Sequence, residues 1–145
     1  MGAGAGLSRL VASQFAAHTA LTDGNEIVLK LLTKNVGINT ELSKVQVLSH
    51  LWGDHQSVKH FERAFVHPVH VLLVADVVCW PGLVKPILQT IKYLLLRSRD
   101  PLKGTFCCGF LCRAQATEEH FFEESEALVC AYKRTLSYPR HGSLT

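Results

Sequence analysis

At 145 residues and 48% hydrophobic, the chain has apolar content enough for one domain with a real core and is too apolar to be disordered. Lys+Arg of 15 against Asp+Glu of 12 leaves a formal charge of +3, too weak and too scattered for a nucleic-acid surface. The longest apolar stretch, Val69 to Leu88, is broken by His70, Asp76, Pro81 and Lys85, which excludes a bilayer-spanning helix.

Along the chain, Leu7 to Phe15 spaces its apolar residues as a helix directly after a glycine cluster, and His18 to Thr22 is a β-prone run ended by Asp23-Gly24. Ile27, Leu31, Leu32 and Val36 predict an amphipathic helix opened by Asn25 as its N-cap and running to about Asn39. Lys44 to Trp52 alternates as a strand, and Ser57 to Phe65 reads as a short surface helix. Val69 to Val78 is nearly all apolar and β-branched, as a strand buried on both faces should be. Leu83, Ile87, Ile91 and Leu95 predict a helix over Pro81 to Arg97, Gly104 to Leu111 another strand, and Thr117 the start of a last helix with acids in its first turn. The alternation of helix and strand, without repeat or low-complexity linker, argues an α/β fold with a parallel sheet.

Five cysteines, Cys79, Cys107, Cys108, Cys112 and Cys130, make no CxxC and sit mostly in apolar runs. They read as buried reduced thiols in a reducing compartment, the cytoplasm with the nucleus as alternative. The first residues carry Arg9 and no acid, as a transit peptide would, but that reading leaves the motifs below as coincidence.

Chemistry concentrates at four places. Gly2-Ala3-Gly4-Ala5-Gly6 feeds a helix, so backbone amides can approach a ligand without side-chain hindrance; a flexible start is the plain alternative. Leu7 stands where a dinucleotide fingerprint puts its third glycine, which disfavours a nicotinamide oxidoreductase. Asp23 ends the next strand, where doubly wound folds use an acid to accept the ribose hydroxyls of an adenosine cofactor, although Asp-Gly is also a common turn pair. Trp52-Gly53-Asp54 follows the third strand pattern, with Trp52 placed to stack on an adenine or merely to pack the core, and Asp54 near the exocyclic amine. Asp76 closes the most hydrophobic strand, a costly place for a carboxylate unless it faces a site or a partner. All four lie at carboxyl ends of strands, where open α/β sheets bind ligands.

The segments GAGAGLSRLVA, LTDGNE, NVGIN, LSHLWGD and VLLVADVV, in this order over about Gly2 to Tyr132, resemble the class I S-adenosylmethionine (SAM) methyltransferases, and among them the protein-lysine methyltransferases of methyltransferase family 16. The resemblance implies a Rossmann-like sheet with helices on both faces, SAM as cofactor, and methyl transfer to the lysine amine of a protein substrate; charge and hydropathy add the expectation of neither nucleic acid nor membrane as partner. It implies that Gly2, Ala3 and Gly4 line the methionine part of SAM, Asp23 holds the ribose, Trp52 lies against the adenine and Ala75 borders the cofactor. Asp76 would be the acid of the family's Asp/Glu-x-x-Tyr/Phe motif, the residue at the substrate lip.

The chain departs from that pattern in three ways. Cys79 replaces the motif's aromatic, with Trp80 beside it. The chain begins at the glycine loop, so the first strand of the family sheet is expected to be missing, and the last strand pair is not evident in Arg134 to Thr145. The expected division is a partial methyltransferase core over 1–136 and a polar tail over 137–145. These departures keep open a second reading, a catalytically inactive remnant of the fold that acts as a binding module.

Overall fold

A computed structural model describes residues 1–39, 44–96, 104–109 and 114–128. Helix and strand alternate through them as α1 (Leu7–Ser13), β1 (Thr19–Asp23), α2 (Glu26–Ile38), β2 (Val45–Ser49), α3 (His55–Ala64), β3 (Val71–Ala75), α4 (Pro81–Leu96), β4 (Thr105–Gly109) and α5 (Gln115–Leu128). The strands pair in parallel, β1 with β2 and β3 with β4, setting Leu21 opposite Val47 and Leu73 opposite Cys107. Parallel neighbours need a crossover, and the intervening helices α2 and α4 supply it.

The single sheet expected from the sequence is divided. Among the described residues β1–β2 and β3–β4 are separate two-stranded sheets. The N-terminal tripeptide bridges them: the Met1 amino group donates to the Leu73 carbonyl at 2.9 Å, and the Ala3 N–H to the Thr22 carbonyl at 2.8 Å. The predicted polar tail, 137–145, lies outside the described residues, as do Cys112 and Cys130.

Two apolar clusters hold the halves. Leu21 and Leu32, with Ala3, form the smaller, against Val28, Leu29, Val36, Val45 and Val47. The larger joins Leu72 and Val74 of β3 to Val84, Ile87, Leu88, Ile91 and Leu94 of α4, with Phe61, Phe65, Phe121 and Met1. Burying each of these aliphatic or aromatic side chains contributes about 1.5–3 kcal/mol.

Helix α2 starts where predicted, because the Asn25 side chain accepts the Ile27 and Val28 N–H groups at 2.9 and 3.3 Å. Its buried stripe keeps the predicted Leu32 and Val36 and departs at the other two positions. Ile27 and Leu31 are exposed, whereas Leu32 is buried among Val28, Leu29 and Val36. In α4 the predicted Ile87 and Ile91 are fully buried and Leu95 packs on the core, while at the first turn Leu83 faces solvent and Val84 is buried in its stead. When a helix is apolar on more than one face, periodicity alone cannot choose the stripe; the sheet it covers does.

Candidate cofactor and substrate site

The glycine loop runs through three left-handed residues, Gly2, Gly4 and Gly6, at φ of 62°, 52° and 88°. This region costs other L-residues roughly 1–2 kcal/mol each, which explains the glycine spacing. The last of them is the N-cap of α1, the helix predicted to Phe15 but ending at Ser13. A Cβ on Gly2 would lie 2.6 Å from Val77 Cγ1 and 2.9 Å from the Trp52 ring. At Gly4 nothing stands within 4 Å of that direction. One glycine lets the chain pass between two side chains; the other opens onto free space.

Asp23, at the end of β1, holds this loop. Its Oδ2 accepts the Gly4 N–H at 3.1 Å and its Oδ1 the Asn25 N–H at 3.0 Å. Each oxygen keeps a lone pair for a further donor. The carboxylate is half-buried, so it can meet a ligand hydroxyl without a full desolvation penalty.

Trp52 follows β2 and is partly buried against the larger core. Its ring edge borders Gly2. The Trp-Gly pairing has a packing cause: Gly53 has φ 74°, and a Cβ there would fall 2.9 Å from Pro86. The Gly53 N–H donates to the Thr90 hydroxyl at 2.9 Å, and that hydroxyl donates to the Pro86 carbonyl at 3.0 Å. Proline in a helix interior removes one backbone hydrogen bond and usually kinks the helix; here it also seats the glycine. Asp54, expected near an adenine amine, instead caps α3, accepting the Gln56 and Ser57 N–H groups at 3.3 and 2.8 Å. Its carboxylate belongs to the helix.

Ala75 ends β3 opposite Gly109 and is exposed. Asp76 follows it at φ 53°, the described non-glycine residue with a positive φ, and its side chain is exposed. Its N–H donates to the Gly109 carbonyl at 2.8 Å, and Cys79 Sγ lies 3.4 Å from its carbonyl oxygen. Strained backbone of this kind persists where the surroundings fix it and clusters at binding and catalytic sites. Trp80 is exposed.

The structure thus gathers Gly2, Trp52 and the segment after β3 through Val77, and ties Gly4 to Asp23. Val77 escapes sequence reasoning, since an apolar residue after an apolar strand carries no signal of its own. Thr90 escapes it too, being one polar residue inside a helix. Among the described residues no group of three or more His, Cys, Asp or Glu side chains is placed to hold a metal ion. Cys108 is no candidate nucleophile, because burial pushes its thiol up to about 11; Cys79, Cys107 and Cys108 are free, with Cys107 exposed rather than buried as expected. No described helix is long and apolar enough to cross a membrane.

No curated protein matches the chain. The sequence model of the lysine methyltransferase family matches residues 1–127, a span that includes the glycine loop, Asp23, Trp52, Ala75 and Asp76. The chain belongs to the lysine methyltransferase family.

Proposed function

We propose that the chain binds SAM at the loop cluster and directs methyl transfer to the amine of a lysine in a protein substrate. The observation that carries this reading is the Asp23 carboxylate clamped to the Gly4 N–H at 3.1 Å, beside a glycine whose Cβ direction is open. These residues fit SAM: Asp23 would take the ribose hydroxyls, Gly2, Ala3 and Gly4 the methionine part, Trp52 the adenine and Ala75 the border of the cofactor. When bound, SAM supplies an electrophilic methyl group on its sulfonium.

The chain's own residues must position the amine and keep water away. A lysine with a pKa near 10.4 must first lose its proton, which at pH 7 costs roughly 4.6 kcal/mol at about 1.36 kcal/mol per unit. Asp76 would accept hydrogen bonds from the ammonium and orient it, while apolar surroundings such as Val77 favour the neutral amine by desolvation. A charged Asp76 opposes that second effect, so its role is positioning.

The test is transfer of a radiolabelled methyl group from SAM to proteins of a lysate, with wild type and Asp23→Ala compared. Label on lysine that disappears in the variant supports the proposal. SAM binding without any label on protein would favour the second reading, a fold retained as a binding module, for which Cys79 in place of an aromatic speaks.

A further inference from the structure

The segment NVGIN, Asn35 to Asn39, closes α2. Asparagine is among the weaker helix formers, because its amide competes with the helix for main-chain groups, and two of them four residues apart need a local reason. They put their amides to different uses. Asn39 stays within the helix end: its Nδ2 donates to the Asn35 carbonyl at 2.7 Å and its N–H to the Val36 carbonyl at 3.1 Å, filling acceptors that the last turn of a helix leaves open. Asn35 reaches out of the helix. Its Nδ2 donates at 2.9 Å to the carbonyl of Ala5, 30 residues earlier.

Ala5 sits in the glycine loop between left-handed Gly4 and Gly6, at φ of 52° and 88°. Its carbonyl and the Gly6 N–H belong to one peptide plane, and the Gly6 N–H donates to the Ala3 carbonyl at 3.0 Å. That plane is gripped at both edges, by Asn35 from outside the loop and by Ala3 from within it. On the other side the Gly4 N–H is held by Asp23 Oδ2 at 3.1 Å. Between these anchors lies the Gly4–Ala5 peptide, whose Gly4 carbonyl and Ala5 N–H have no hydrogen-bond partner among the described residues. The Cβ direction of Gly4 is open there as well. Without the Asn35 amide the Ala5–Gly6 plane would keep only its bond within the loop, and glycines on either side of Ala5 would let it turn.

We propose that Asn35 is a positioning residue of the cofactor site: by holding the Ala5 carbonyl it keeps the Gly4–Ala5 peptide in one orientation, its N–H free for the carboxylate and its carbonyl free for the ammonium of the methionine arm of SAM. This role rests on the SAM reading of the site. Asn35 itself need not touch the ligand. Only the nitrogen of its amide can donate to a carbonyl, so aspartate at this position, equal in shape, would set an acceptor against an acceptor. A purely architectural tie between α2 and the loop would instead cost stability without any preference among ligands.

The experiment compares the full wild-type chain with Asn35→Asp, Asn35→Ala and Asn39→Ala by calorimetric titration. The probes are two thioethers of the same adenosine: S-adenosylhomocysteine, which carries the amino-acid arm, and 5′-methylthioadenosine, which lacks it. Both Asn35 variants should lose about three- to tenfold in affinity for S-adenosylhomocysteine, the worth of one hydrogen bond, and keep the wild-type affinity for methylthioadenosine. In the ligand-free chain the Gly6 N–H should exchange with solvent faster in both Asn35 variants than in the wild type. Asn39→Ala removes a bond of the same helix end that does not reach the loop, and should leave all these readings at their wild-type values.

Unchanged affinity for S-adenosylhomocysteine, equal losses for the two thioethers, unchanged Gly6 exchange, or the same selective loss in Asn39→Ala would each overturn the role of Asn35 while leaving the SAM reading in place. A wild type that binds neither thioether would overturn the SAM reading, and this role with it.

Discussion

The Gly4 N–H and the Asn25 N–H meet on one carboxylate, that of Asp23, at 3.1 and 3.0 Å. The residue proposed to hold the cofactor therefore also fixes the loop that would receive it. Asp23→Asn keeps the shape but replaces one acceptor oxygen by a donor, so it sets an amide against an N–H of Gly4 or Asn25. SAM affinity measured by calorimetry should fall by about 1.5–3 kcal/mol for each charged hydrogen bond lost. Unchanged affinity in Asp23→Asn and Asp23→Ala would remove Asp23 from the site.

Gly2 and Gly4 share a positive φ but not surroundings, and their substitutions should separate. Gly2→Ala drives a methyl group into Val77 and the Trp52 ring, so its thermal midpoint should drop well beyond the roughly 1–2 kcal/mol of backbone strain. Gly4→Ala meets open space and should show the strain alone, with weaker SAM binding because the methyl group enters the space a ligand would use. Equal losses of stability would mean the Gly2 passage yields easily.

Asp76 offers a split between stability and turnover. Its φ of 53° is one glycine adopts freely, so Asp76→Gly should cost little stability, or gain up to about 1 kcal/mol. Methyl transfer should collapse while SAM affinity stays within about twofold, since the interaction removed acts on the amine. A variant that kept its turnover would leave Asp76 with a conformational role only.

His50 gives a pH dependence with a fixed sign. Burial lowers its pKa from the usual value near 6.5, against a smaller opposing effect of Ser57. The unfolded chain then takes up a proton that the folded chain resists, so stability is full above about pH 6.5 and falls as pH drops toward the lowered folded pKa. In that window the slope approaches at most about 1.4 kcal/mol per pH unit. Urea midpoints at pH 7.5, 6 and 5 should show a shallower decline for His50→Gln than for the wild type; identical slopes would mean that other groups govern it.

Thr90 is a buried hydroxyl with two main-chain partners. Thr90→Val keeps the shape, leaves the Gly53 N–H without its acceptor and removes the hydroxyl's added bond to the Pro86 carbonyl. A loss of about 1–3 kcal/mol is expected, read as a lowered midpoint in thermal unfolding, with Trp52 fluorescence reporting whether its loop shifts.

How legible this was depended on what each signal needed. The Asn25 cap and the Asp23 turn follow from local chemistry and lie where the sequence puts them, while β3 forms only over Val71–Ala75 of its predicted run and, with Val71 exposed, is not buried on both faces. Asp54 shows the limit: a carboxylate after a strand serves a ligand or the helix that follows, and only the Gln56 and Ser57 amides decide. In α2 the spacing finds Leu32 and Val36 but not Val28 and Leu29, because Ile27 and Leu31 are as apolar, and the choice between them belongs to the sheet beneath. Division of the sheet follows the expected absence of the family sheet's first strand, while the register of each pair, a long-range property, is in no window of sequence. The lysine specificity and the roles of Ala75 and Asp76 come from family likeness and stand as proposals.

Met1 lies in the larger apolar cluster and Ala3 in the smaller, with left-handed Gly2 between them. Each half of the molecule has its own ladder, crossover helix and interior, so the two can melt as separate cooperative units wherever the tie between them is weak. A calorimetric enthalpy larger than the van't Hoff value would reveal this. The three-residue joint then acts together with Ala20, Leu48 and Trp52, which pack against the larger cluster, in setting how much one half senses the other, and replacing Met1 by alanine should widen the unfolding transition more than it lowers its midpoint.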